Sequence, residues 1–136
     1  MTFDNLVSGT VIRFQFLWGR EAAQGETEGR KSRPTVVGFR LDDELLLLFP
    51  ITTKQPESSR FFFEVPETEK RRAGLNYALR SWIILDEVNS DKLNQSRYIE
   101  PDCQIGHFSR AFTLLVFRAW ARESRARKIV ITQRGV

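Results

Sequence analysis

The sequence predicts a single domain of the α+β class that is mainly β and carries one helix near its C-terminus. Runs of β-branched and aromatic residues recur between short polar breaks, which is typical of strands joined by turns. Only the segment that starts at Ser109 repeats its apolar residues convincingly at helical spacing. The length of 136 residues suits one domain with a real core and is too short for two. We therefore expect residues 1–136 to form one domain.

Composition limits the class of protein. No apolar run approaches the roughly 20 residues that span a bilayer, and the N-terminus lacks the basic and apolar regions of a signal peptide. A single cysteine, Cys103, cannot close an internal disulfide. Together these features predict a cytoplasmic protein without a membrane partner. With His107 as the one histidine, a Cys/His zinc cluster within the chain is excluded, and we expect no metal.

The chain is basic, with a net charge of +4 and a pI of about 9.6. An excess of this kind favours a phosphate-rich partner or an acidic protein. Taken by itself, the net charge is better explained by solubility. The positions of the arginines therefore carry the argument.

The central feature is a predicted hairpin between Lys31 and Lys54. Its arms are residues 35–39 and 45–49, and an acidic turn, Asp42-Asp43, separates them. Because a hairpin folds back on itself, Arg33 and Thr52 should come close together. A fixed cation beside a hydroxyl suits a phosphate group.

Other segments predict further strands. They are residues 9–18, 60–65 and 81–88. In the second strand, Phe61 and Phe63 should lie on one face and Phe62 on the other. The third strand should be buried on both sides. We expect residues 89–101 to be irregular, with a short strand at 97–99, and residues 67–75 to be a short helix or loop. The three tryptophans, Trp18, Trp82 and Trp120, should be core or dimer-interface residues.

Two segments are expected to lie outside this framework. Residues 19–33 contain three glycines and few large apolar groups, which predicts a flexible loop, either a binding loop or a plain solvent loop. Residues 123–136 form a basic tail, either an edge strand or a basic arm.

The C-terminal helix should bury Phe112, Leu115, Val116, Ala119 and Trp120, and it should begin after an N-cap at Ser109.

Several motifs occur together in a fixed order. They are the Gly-initiated first strand, a glycine-bearing loop ending in Arg33-Pro34, a strand ending in Pro50-Ile51-Thr52, an apolar strand closing on Asp86, and Ile105-Gly106-His107-Phe108-Ser109 before the helix. This order, over roughly residues 7–122, resembles the MazF/PemK/Kid family of type II toxins.

The resemblance implies a small SH3-like, strongly bent β-barrel with a C-terminal helix, usually a homodimer. It further implies a sequence-specific endoribonuclease that needs neither a metal nor another cofactor. Such an enzyme cuts single-stranded RNA by attack of the 2′-hydroxyl on the adjacent phosphate, and a cognate antitoxin blocks it. By the same resemblance, Arg33, Thr52 and Asp86 are the catalytic residues.

Polar residues near these three are expected to bind RNA: Gln24, Lys31, Thr53, Lys54 and Asn89. The chain also departs from the family, since Asp86-Glu87-Val88-Asn89 stands where relatives have Asp-Gln-x-Arg. Losing an arginine and gaining a negative charge should weaken phosphate contacts, and the basic tail is a candidate source of the missing cations. The alternative is a catalytically inactive SH3-like module that binds RNA or a protein partner.

Overall fold

The computed structural model describes residues 5–134, and it gives them an α+β fold with eight strands and three α-helices. The elements in chain order are β1 (Thr10–Phe14), α1 (Gly19–Ala23), β2 (Arg33–Arg40), β3 (Leu45–Thr52), β4 (Phe62–Glu64), α2 (Glu67–Arg72), β5 (Trp82–Ile84), β6 (Glu87–Lys92), β7 (Gln104–His107), α3 (Arg110–Glu123) and β8 (Val130–Gln133). The N-terminal residues that bear on a signal peptide, and the last two residues of the predicted basic tail, lie outside the described residues.

The sheet is antiparallel except where β8 runs parallel to β6. Its main path is β4-β5-β3-β2-β1-β7, with β6 joined to β3 and β8 joined to β6. The prediction of a mainly β domain with a C-terminal helix is confirmed. Within residues 5–134, no helix combines the length and the apolar composition needed to cross a membrane.

The predicted central hairpin is confirmed as β2 and β3. Thr35 pairs with Pro50, and the register shifts between Val37 and Phe39. Gly38 occupies that irregularity, where an added Cβ would stand 2.3 Å from the Phe49 ring. The sheet therefore closes tightly over Phe49 only because this position has no side chain.

The core lies on both faces of the sheet. One cluster, which includes Phe49 and Ile83, packs beneath α3 through Phe112, Val116 and Phe117. The other contains Ile12, Phe14, Val37, Leu48 and Ile84. Phe61 and Phe63 belong to the first cluster and Phe62 to the second, so the predicted alternation is confirmed. Trp18 and Trp82 are buried, and Trp120 is partly buried.

The predicted single strand over residues 81–88 is wrong, because the structure divides it into β5 and β6. The break falls at Leu85 and Asp86. The Leu85 carbonyl accepts a hydrogen bond from Trp120 Nε1 at 2.9 Å, and its N–H donates to the Phe61 carbonyl at 2.9 Å. Asp86 binds Arg60. These contacts turn the chain at this point, so that β6 pairs with a different part of β3 than β5 does.

The short strand predicted at 97–99 is also wrong. The Ser96 hydroxyl accepts hydrogen bonds from the backbone N–H groups of Tyr98 and Ile99 at 3.0 and 3.1 Å. A serine that satisfies nearby backbone donors in this way favours a turn over a strand. Between residues 89 and 101, regular structure instead comes from the end of β6 and a 3₁₀ turn at Leu93–Gln95.

Helix α3 begins after Ser109, whose hydroxyl accepts from Phe112 N as predicted. The predicted apolar face is wrong at Leu115, which is 59% exposed. Thr113 and Phe117 are buried instead. Thr113 packs against Gly9, where an added Cβ would lie 2.5 Å from its hydroxyl oxygen. The helix is therefore turned towards the start of β1.

The two segments expected outside the framework both contain regular structure. Helix α1 occupies Gly19–Ala23 of the predicted loop, and residues 24–32 contain neither helix nor strand. The tail forms an edge strand, β8, beside β6. The alternative of a basic arm is therefore wrong for residues 130–133.

Candidate functional site

A cavity of about 750 Å³ opens at the end of the β2–β3 hairpin that lies away from its turn. Among the described residues that line it, five are arginine or lysine and one, Glu57, is acidic. We call this space the larger cavity, because a smaller one adjoins it. Its charged and polar lining residues are Arg20, Lys31, Ser32, Arg33, Thr52, Thr53, Lys54, Gln55, Glu57, Arg60, Asn76 and Ser81. Such an excess of cations attracts anionic ligands.

The hairpin brings Arg33 and Thr52 to the same cavity, as predicted. Strand β2 begins at Arg33 and β3 ends at Thr52. Thr35 pairs with Pro50. If this pairing continues by two residues towards the open end of the hairpin, Arg33 lies opposite Thr52. Both side chains line the larger cavity.

Arg33 is half-buried and has unused hydrogen-bonding capacity. Its Nε is buried and has no hydrogen-bond partner among residues 5–134. The guanidinium carbon lies 5.2 Å from the centre of the Trp18 ring, a cation–π contact. Burial lowers the pKa of Arg33, the Glu21 carboxylate acts in the opposite direction, and Arg20 lowers it further. Arg33 is thus a partly desolvated cation, which interacts with an anion more strongly than a fully hydrated one.

Thr52 is held by the turn that follows β3. Its Oγ1 accepts a hydrogen bond from the Lys54 backbone N–H at 3.0 Å. Because the oxygen acts there as an acceptor, the hydroxyl proton remains available for donation. Thr52 can therefore donate to a phosphate oxygen in the cavity.

Asp86 does not line the cavity, in contrast to the prediction that it joins Arg33 and Thr52 in one site. Arg60 binds its carboxylate through two hydrogen bonds, Nη2 to Oδ1 at 2.6 Å and Nε to Oδ2 at 3.2 Å. Phe61 N also donates to Oδ2, at 3.3 Å. The hydrogen bond to Asp86 raises the pKa of Arg60, against an opposing effect of burial. Asp86 therefore orients Arg60.

Three of the five residues predicted to bind RNA, Lys31, Thr53 and Lys54, line the cavity. Gln24 is exposed at the end of α1 and does not line it. Asn89 is fully buried, so its prediction as an RNA contact is wrong. Its amide joins Leu17 through both backbone groups, at 2.9 and 2.8 Å, and accepts from Arg134 Nη1 at 3.0 Å.

Asn89→Ala should lower the free energy of unfolding by about 1–3 kcal/mol, because it leaves the buried Leu17 N–H and carbonyl without a partner and removes one hydrogen bond of the Arg134 guanidinium. Urea unfolding followed by circular dichroism measures the effect. Asn94→Ala is the matched control, since Asn94 is exposed. Equal stability of the two variants would contradict the structural role of Asn89.

Sequence reasoning missed Arg20, Glu57 and Arg60 as parts of the site. The position of Arg60 could have been predicted from strand pairing. If residues 60–65 pair in the antiparallel direction with the strand that ends at Asp86, Arg60 lies beside the Asp86 carboxylate. The structure has this register, with Phe62 opposite Ile84. Arg20 belongs to the predicted loop, residues 19–33, and Glu57 stands between two predicted strands, so no periodicity indicates which way either side chain points.

The basic tail does not supply the cations of this cavity. Arg125, Arg127 and Lys128 are absent from its lining. Arg127 instead binds Glu123 at 3.1 Å and lies over the Phe61 ring. The hypothesis that the tail replaces the missing arginine is therefore not supported by its position. Within residues 5–134, no three side chains of the His, Cys, Asp or Glu type come together as a metal would require.

No protein-family model matches this chain, and no curated protein matches it. Function is therefore argued from the geometry and charge of the cavity.

Proposed function

We propose that this protein is a metal-independent endoribonuclease of the MazF/PemK/Kid type, the toxin of a type II toxin–antitoxin module, which cuts single-stranded RNA. The observation that carries the proposal is that Arg33 and Thr52 line one cavity together with four further cations. We also propose that the chain folds as an SH3-like barrel, forms a homodimer, acts in the cytoplasm and is neutralised by a cognate antitoxin.

The cavity has the groups that RNA cleavage through the 2′-hydroxyl needs. The ribose 2′-oxygen attacks the adjacent phosphorus, the bond from phosphorus to the 5′-oxygen breaks, and the products are a 2′,3′-cyclic phosphate and a 5′-hydroxyl. Negative charge grows on the non-bridging oxygens in the transition state. Arg33 can donate two hydrogen bonds to those oxygens, and the Thr52 hydroxyl can donate a third.

A proton acceptor for the 2′-hydroxyl is also required. Arginine is a poor base because it keeps its proton, and Arg60 occupies both Asp86 oxygens. Glu57 is the one carboxylate among the described residues that line the cavity. We assign the acceptor role to Glu57, which takes the proton of the 2′-hydroxyl, and the leaving 5′-oxygen takes a proton from a water molecule as the bond breaks.

Glu57→Gln should therefore reduce the cleavage rate by about 100-fold, a typical loss for a general base. Asp86→Asn should reduce it less, because that carboxylate contacts Arg60 and not the substrate. Single-turnover cleavage of a labelled RNA measures both rates, and thermal unfolding checks that both variants fold. If Asp86→Asn lowers the cleavage rate more than Glu57→Gln does, at unchanged stability, then Asp86 is the catalytic carboxylate.

The direct test of the function is cleavage of a mixed-sequence single-stranded RNA by the purified chain in the presence of EDTA. We expect fragments that carry 2′,3′-cyclic phosphate ends, identified by mass spectrometry. RNA with a 2′-deoxyribose at the cleaved nucleotide is the matched control and should stay intact. Growth arrest on induction in bacteria is the expected cellular result. Intact RNA together with normal growth would overturn the proposal.

A second function, RNA binding without cleavage, is favoured by one observation. The carboxylate predicted to be catalytic is held by Arg60, while the cations of the cavity remain on its surface. A chain that binds single-stranded RNA but leaves it intact would establish this second function.

A further inference from the structure

The larger cavity adjoins a smaller one, of about 230 Å³. The two share the residues Trp18, Arg20, Lys31 and Arg33. Three of the four shared residues are cations. The basic surface therefore continues past Arg33, away from Thr52, and provides more room than a single phosphate group needs.

The Trp18 ring holds two of these cations. The guanidinium carbon of Arg20 lies 5.3 Å from the ring centre, and that of Arg33 lies 5.2 Å from it. Trp18 is buried, and its backbone N–H donates to Glu21 Oε1 at 3.2 Å, which holds this residue at the start of α1. Arg20 is exposed, so its charged end can reach a ligand.

Arg20 and Arg33 carry like charges beside one ring and repel each other; burial lowers the pKa of Arg33, and the charge of Arg20 lowers it further. Glu21 is the nearby anion, but its Oε2 binds Arg30 Nε at 3.2 Å and its Oε1 accepts from Trp18. A bound anion would offset the repulsion between the two guanidinium groups.

We propose that Arg20 binds the phosphate next to the one held by Arg33 and Thr52, so that the RNA strand passes from the larger cavity into the smaller one. This inference rests on the RNA-binding part of the proposed function and not on cleavage. The ligand is a strand with at least two consecutive phosphodiesters. Trp18 is a positioning residue, since it orients both arginines and is itself buried.

The first test compares Arg20→Gln with Arg118→Gln, which removes an equal charge from an exposed position on α3 outside both cavities. The probe is a 2′-O-methyl RNA octanucleotide, which cannot be cleaved by 2′-attack. Its affinity is measured by fluorescence anisotropy over a range of salt concentrations. Removing one phosphate contact should reduce the slope of log affinity against log salt by about 0.7 in Arg20→Gln. Arg118→Gln should keep the wild-type slope.

The second test uses a 2′-O-methyl dinucleotide, which contains a single phosphodiester, in an NMR titration. Arg20→Gln should weaken dinucleotide binding less than octanucleotide binding, whereas Arg33→Ala should weaken the binding of both. If Arg20→Gln weakens dinucleotide and octanucleotide binding equally, or keeps the wild-type salt slope, the second phosphate site is overturned. A chain that cleaves RNA but shows either result would retain the proposed function. A chain that shows the expected slopes without cleavage would retain only the phosphate site.

Discussion

Arg33→Ala should lower the rate of RNA cleavage by about 100- to 1,000-fold, the usual loss when one preorganised donor to a developing negative charge is removed. The reason is that Arg33 lines the cavity beside Thr52 with a guanidinium that is partly desolvated and has an unpartnered Nε. Single-turnover cleavage of a labelled single-stranded RNA gives the rate. The free energy of unfolding should change by no more than about 1 kcal/mol.

Two further variants make this prediction specific. Arg118→Ala removes an exposed arginine from α3 and should cleave at the wild-type rate. Arg33→Lys keeps the charge but loses the planar pair of donors, so its rate should fall between those of wild type and Arg33→Ala. If Arg33→Ala cleaves as fast as Arg118→Ala, Arg33 has no part in the reaction.

Phe49→Ala should lower the free energy of unfolding by about 3–5 kcal/mol, the range for removing a buried aromatic ring. Phe49 is fully buried in β3, and its ring centre lies 5.1 Å from that of Phe117 and 5.5 Å from that of Trp120. The variant therefore loses contacts between the hairpin and α3. Urea unfolding followed by tryptophan fluorescence and circular dichroism measures the change.

Leu115→Ala is the control for Phe49→Ala, and it tests the corrected helix face as well. Leu115 stands on α3 but is 59% exposed, so its loss should change the free energy of unfolding by no more than about 0.5 kcal/mol. A loss as large as that of Phe49→Ala would mean that Leu115 is covered in solution, for example by a second copy of the chain.

The hairpin could be predicted because its signals are local. Two runs of strand-forming residues flank an acidic turn, and in the structure Asp43 and Glu44 adopt positive φ angles of 66° and 60° there. Antiparallel pairing then fixes which ends meet, so a shared position for Arg33 and Thr52 at one end of the hairpin could be predicted from the sequence alone. The path of the chain through Leu85 and Asp86 depends on contacts with Trp120 and Arg60, which are distant in sequence. No local pattern carries that information.

The site was predicted less completely than the hairpin for the same reason. Asn89 is polar and follows Asp86 closely, which suggested a surface role, yet its amide is used to join β6 to Leu17. Arg20 belongs to a segment with few apolar residues, and α1 forms there because buried Glu21 binds Arg30 and the Trp18 backbone. The partner of Asn89 lies 72 residues away in the sequence, and burial of a polar side chain against so distant a partner is a tertiary effect that no local pattern reveals.

The parallel pairing of β8 with β6 ties a late part of the chain to the segment that carries Trp18 and Arg20. Arg134 donates to the carbonyls of Gln15 and Thr27, and Val130 packs against Gly19. During folding, these anchors are missing until β8 has docked beside β6. The segment that carries Trp18 and Arg20 should therefore reach its final arrangement only once β8 has paired with β6, as a late event in folding.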